Sequence, residues 1–128
     1  MKILLDTCTF LWIISGSSEL SKNAKSLFAS SENEIFLSCI STWEILIKNQ
    51  LGKLPLPEPA GKFINEQRAL HRIESLTLQE DAVLQLLRLP PHHNDPFDKM
   101  LICQAITHGL TLLTPDTHIS QYPVPTVW

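Results

Sequence analysis

The sequence predicts an α/β fold: a three-layer sandwich whose central parallel sheet of four to five strands is flanked by helices. Three observations predict it. Short leucine-rich or branched segments such as "KILLD", "EIFLS", "RIESLTL" and "LTLLTPD" recur along the chain. Stretches with apolar residues at helical spacing separate them. Strands and helices alternate throughout, the pattern of a parallel sheet covered by helices on both faces.

The elements follow in order. "KILLD" (2–6) is a buried strand ending in an acid, and "TFLWIISG" (9–16) begins a helix that stops at Gly16. "SSELSKNAKSLFASSEN" opens with serine caps and carries Leu20, Ala24, Leu27 and Phe28 on one helical face. "EIFLS" is the next strand and "CISTWEILIKNQLGKL" the next helix, ending near Gly52, with Ser41 and Thr42 read as caps. "PLPEPAG" is a proline-rich loop, too short to divide domains. "KFINEQRALH" is helical, "RIESLTL" a strand, and "QEDAVLQLLRL" helical until Pro90 and Pro91 stop it. The helix after "HHND" runs to Gly109; "LTLLTPD" is a strand ending in another acid, and "VPTVW" a last short strand.

The 128 residues suit one domain spanning 1–128, long enough for a real core. A 44% apolar and 18% charged composition is that of an ordinary globular chain. No run is long enough for a membrane helix, and no signal-peptide pattern opens the sequence, so a cytoplasmic protein without membrane association is expected. Cys8, Cys39 and Cys103 are widely spaced in apolar segments and read as small buried hydrophobes in a reducing compartment. The net charge of −3 argues against a protein that grips nucleic acid through a basic surface. It leaves open an enzyme whose acidic pocket acts on nucleic acid.

The acids are the informative residues. Glu44 has Ile40, Ile47 and Leu51 at helical spacing, and Asp98 has Leu101, Ile102 and Ala105. A charge on an apolar stripe is costly unless it is paired or bound to a cation. Asp6 ends the first strand, Asp116 follows a later one, and Asp98 opens a helix. In a parallel α/β sheet all three positions fall at the carboxyl edge, where ligands bind. Carboxylates gathered there repel one another, and Mg²⁺, which takes a few carboxylates plus waters, removes that penalty. An ion so held suits hydrolysis of a phosphodiester.

Simpler roles stay open for each. Asp6 and Asp95 are candidate helix caps, the latter with Pro96 at the first helical position. Asp98 suits a helix dipole, Glu44 can pair with Lys48 one turn on, and Asp116 in "TPDTH" can be a turn residue. Thr7 and Thr114 are capping candidates that can also reach the acids. Adjacent His92 and His93 could hold a metal, but neighbouring side chains point in different directions and the pair reads as a polar loop. A phosphatase forming an aspartyl-phosphate is excluded, because the second acid it needs two residues after the first is replaced by Cys8.

"LLDTCTFLW", "SCISTWEILIKNQLGKLPLP", "HHNDPFDKMLICQA" and "GLTLLTPD", in this order, resemble the PIN-domain ribonucleases, in particular VapC-type toxins of VapBC toxin–antitoxin pairs. The resemblance runs from Lys2 to Trp128 and implies a PIN-like sheet with a Mg²⁺ or Mn²⁺ site. Carried over by position, its ligands fall on Asp6, Glu44, Asp98 and Asp116, with Asp95 auxiliary. It further implies an endoribonuclease cleaving RNA, often tRNA or ribosomal RNA, a VapB-like antitoxin and a homodimer. Relatives often carry a histidine where Cys8 stands, so any contact made by that histidine changes here. The alternative reading is a non-catalytic PIN-fold protein that binds RNA or a protein partner.

Overall fold

The computed structural model describes residues 1–128. Its elements are β1 (Lys2–Leu5), α1 (Thr7–Ser15), α2 (Lys22–Ala29), β2 (Glu34–Ser38), α3 (Cys39–Gln50) and α4 (Ala60–His71). They continue with β3 (Glu74–Leu76), α5 (Glu80–Leu84), a 3₁₀ turn (Gln85–Arg88), α6 (Pro96–His108), β4 (Thr111–Leu113), α7 (Thr117–Ser120) and β5 (Thr126–Val127). The five strands form one parallel sheet in the order β3-β2-β1-β4-β5. The expected three-layer parallel architecture is present.

Side-chain alternation on the strands builds the layers. Ile3 and Leu5 of β1 point into a core with Phe10, Ala24, Leu37, Ile45 and Ile64, so α1 to α4 cover that face. Leu4 points the other way, into a core with Leu101, Ile102, Leu112, Ile119 and Tyr122 under α6 and α7. Each fully buried side chain of this size contributes about 1.5–3 kcal/mol. Inside the second layer a polar pair is satisfied internally: the Ser38 hydroxyl donates to Gln104 Oε1, and Gln104 Nε2 donates to the Thr77 carbonyl.

Several element boundaries differ from the expected ones. Helix α1 starts at Thr7, two residues early, because Asp6 already stands at its N-cap. Strand β3 keeps only three residues; Arg72, at φ 56°, ends α4 in the left-handed region and cannot begin an extended segment. Helix α3 is capped by Ser38, whose Oγ accepts from the Ile40 N–H, and neither Ser41 nor Thr42 serves as the cap. Helix α7 was not expected. Of the cysteines, only Cys103 is buried; Cys8 is half-buried and Cys39 exposed, and all three are free thiols. No helix is long and apolar enough to cross a membrane.

Candidate metal centre at the carboxyl edge of the sheet

Strand order decides where the acids meet. The chain goes from β1 outward to β2 and β3, then returns to place β4 on the other side of β1. Connections therefore diverge above β1 and β4 and leave a crevice at their carboxyl ends. Asp6 follows β1 directly, and Asp116 lies three residues beyond β4. Helix α3 leaves β2 at this edge and carries Glu44 in its second turn; α6 begins here with Asp98 in its first turn. Asp6, Glu44, Asp98 and Asp116 line one cleft of about 350 Å³ with Cys8, Lys48 and Lys53.

Hydrogen bonds fix this rim. Thr114, itself buried, donates to Asp6 Oδ2 at 2.7 Å and accepts the Asp116 backbone N–H at 3.1 Å. One hydroxyl thus ties the ends of β1 and β4 together. Cys8 Sγ also donates to Asp6 Oδ2, at 3.4 Å. Across the cleft, the Thr7 hydroxyl donates to Ser41 Oγ at 2.8 Å and joins α1 to α3. Thr9 anchors α1 to β4 through the Leu113 carbonyl at 2.9 Å.

The simpler roles fare unequally. Asp6 occupies an N-cap position but makes no capping bond with its side chain, which is turned to Thr114 and Cys8. Glu44 does pair with Lys48, at 2.7 Å, although it is itself buried among apolar neighbours. Asp95 is a cap: its Oδ1 accepts from the Phe97 and Asp98 N–H groups at 2.9 and 3.1 Å, and it stands outside the cleft lining. Asp116 caps α7 through the His118 N–H at 2.8 Å while also facing the cleft.

Burial and mutual repulsion set the charge state of the cleft. Burial pushes the Asp98 carboxyl up to about 7, with the charges of Asp95, Asp6, Asp116 and Glu44 adding to the rise. Burial also raises Asp6, outweighing the hydrogen bonds from Thr114 and Cys8. The Cys8 thiol is pushed up to about 12 by burial and by Asp6, so it remains a protonated donor. Lys48 holds its proton more tightly because Glu44 accepts from it, helped by the fields of Asp95 and Asp98. A protonated carboxyl and a recruited ammonium are two ways of offsetting crowded negative charge.

The donor set fits a hard divalent cation. Every candidate ligand is a carboxylate oxygen, the class Mg²⁺ and Mn²⁺ prefer. No three His, Cys, Asp or Glu side chains are drawn together tightly enough to cage an ion unaided.

The sequence left three participants unread. His93 Nε2 lies 3.4 Å from Asp98 Oδ2, Tyr122 holds the other ring nitrogen of His93, and His118 stacks on the same ring. The "HH" dipeptide was the available signal for His93; nothing local marks Tyr122 or His118.

The chain matches the PIN domain family model over residues 3–125. It is 49% identical over 35 residues to Ribonuclease VapC16 of Mycobacterium tuberculosis; that match covers 27% of this chain and 25% of the relative's length. Among solved structures it resembles VapBC2 from Rickettsia felis bound to a promoter DNA fragment, with a TM-score of 0.75 at 18% identity over 99% of this chain and 98% of the other. It also resembles DNA-bound VapBC from Salmonella typhimurium, with a TM-score of 0.71 at 16% identity over 99% and 97%. Sheet order, the acid-lined crevice and a family match over nearly every residue agree: this chain belongs to the PIN-domain family.

Proposed function

We propose that the chain is a metal-dependent endoribonuclease, the VapC-type toxin of a toxin–antitoxin pair, working as one domain in the cytoplasm. The observation that carries this is the convergence of four acids from separate elements on one cleft, where their mutual repulsion calls for a cation. The partial likeness to a mycobacterial ribonuclease supports the choice of RNA as substrate.

Asp6, Glu44, Asp98 and Asp116 would hold Mg²⁺ or Mn²⁺, with Asp95 an outlying negative charge that also steadies the start of α6. When bound, such an ion makes water a better nucleophile and offsets the charge that develops on a phosphodiester. The chain supplies the rest. Thr114 occupies Asp6 Oδ2 and so leaves Oδ1 for the cleft. One of the acids also takes the proton released by the attacking water. Lys48 and Lys53 on the cleft wall meet backbone phosphates without reading bases.

A second trough supports an antitoxin partner. Leu11, Trp12, Ile14, Leu56 and Phe63 line an apolar groove that shares Leu11 and Leu54 with the acidic cleft. A partner segment seated there would lie against the catalytic mouth. Self-association into a homodimer is supported by the apolar side chains that α5 and the following turn leave exposed, Leu84 and Leu87 foremost.

The test is cleavage of total tRNA and ribosomal RNA by the purified protein. Cleavage is expected with Mg²⁺ or Mn²⁺, is lost on adding EDTA and returns with excess Mn²⁺. Cleavage that persists in EDTA contradicts the mechanism; no cleavage under any condition favours the non-catalytic alternative.

A further inference from the structure

We propose that His93 is a positioning residue for Asp98, locked by Tyr122 into the tautomer that donates to that carboxylate. The inference rests on reading Asp98 as an ion-holding acid. Its observations are separate from those that assigned the acids.

The Tyr122 hydroxyl belongs to a buried ring packed under the α7 layer. It has two polar neighbours, both on His93: the backbone N–H at 3.1 Å and ring Nδ1 at 2.7 Å. The backbone N–H only donates, so the phenolic oxygen accepts from it. The single phenolic proton can then be donated to the remaining neighbour, Nδ1. With the ring proton on Nε2, the nitrogen that faces Asp98 Oδ2 at 3.4 Å, each of these contacts has a donor and an acceptor; on Nδ1 it would leave two acceptors facing each other there. The ring is kept in plane by stacking on His118, with centroids 6.2 Å apart and 14° between planes. An ordinary polar loop residue is solvated; this side chain is 17% exposed and bonded at both nitrogens.

The consequence falls on the acid. With Oδ2 engaged by the imidazole, the other oxygen of Asp98 is left for the cleft that the residue lines, as Thr114 on Oδ2 leaves the other oxygen of Asp6. A donor behind a ligating carboxylate fixes its orientation, and loss of such a partner typically weakens metal affinity roughly 10- to 100-fold.

Two measurements on the intact chain test this. Nitrogen-15 NMR of the imidazoles in metal-free protein should show His93 protonated at Nε2, with the preference lost in Tyr122→Phe. Calorimetric titration with Mn²⁺, without RNA, should show affinity falling roughly 10- to 100-fold in His93→Leu and recovering to within a few-fold of wild type in His93→Gln, whose amide nitrogen restores the donor. Thermal unfolding without metal checks that the variants fold. A proton on Nδ1 in the wild type, or unchanged Mn²⁺ affinity in a folded His93→Leu, overturns the role. If the wild type takes up no Mn²⁺, the ion-holding reading fails and this role falls with it, whereas Mn²⁺ uptake with the wrong tautomer defeats only the inference about His93.

Discussion

Asp6→Asn is expected to reduce metal-dependent RNA cleavage by at least about a hundredfold without unfolding the protein. The amide keeps the volume of the carboxylate, so β1 and α1 pack as before. Its Oδ1 can still accept from Thr114 and Cys8, the two donors that hold the native side chain. What changes is charge. Asp6 is buried, and burial already raises its pKa against the pull of its hydrogen bonds. Removing that charge eases the metal-free fold while taking a carboxylate from the cleft. Cleavage assays beside denaturant unfolding separate the two effects: activity falls and stability does not. A variant that loses both together would point to a structural role for Asp6.

Asp98→Asn should reverse the usual sign of a mutation and stabilise the metal-free protein at alkaline pH. The Asp98 pKa is raised from 3.8 to about 7, so between those values the native state keeps a proton that the unfolded chain has lost. Unfolded chains binding fewer protons than native ones lose stability as pH rises. Stability of the metal-free protein therefore declines from about pH 4 to about pH 7 and levels off above. The ceiling is about 4 kcal/mol, at about 1.4 kcal/mol per pKa unit. The side chain is 17% exposed, which makes the observed change smaller, roughly 2–3 kcal/mol. Urea titrations at pH 5 and pH 8 should show this decline in the wild type and a flatter profile in Asp98→Asn. Saturating Mn²⁺ should restore the wild type at pH 8 and do little for the variant. A wild type as stable at pH 8 as at pH 5 without metal would mean Asp98 is not crowded as described.

Local chemistry carried much of this into the sequence. Glu44 and Asp98 were conspicuous because each interrupts an apolar helical stripe, and the structure brings both to the cleft with Asp6 and Asp116. Strand order was not legible. β4 pairs with β1 although more than a hundred residues separate Leu5 from Leu113, and no local pattern encodes that pairing. Yet it is this pairing that brings Asp6 beside Asp116. Helix α7 escaped because four residues are too few to show a period, and β3 shrank because Arg72 closes α4 in a left-handed turn. Thr114 looked like a cap, and its bond to Asp6 spans 108 residues. Tyr122 reaches His93 across 29 residues, a relation that no local pattern encodes. Elements and chemically odd residues are local properties; the partners of those residues are not.

Everything proposed for the active centre requires a divalent ion to sit among carboxylates from four different elements. Anomalous diffraction from crystals grown with Mn²⁺ measures that directly. A manganese peak in the crevice above β1 and β4, touched by oxygens of Asp6 and Asp98 and completed by waters, is the predicted result. A cleft without a peak at saturating Mn²⁺, or a peak bound only elsewhere on the molecule, would contradict it.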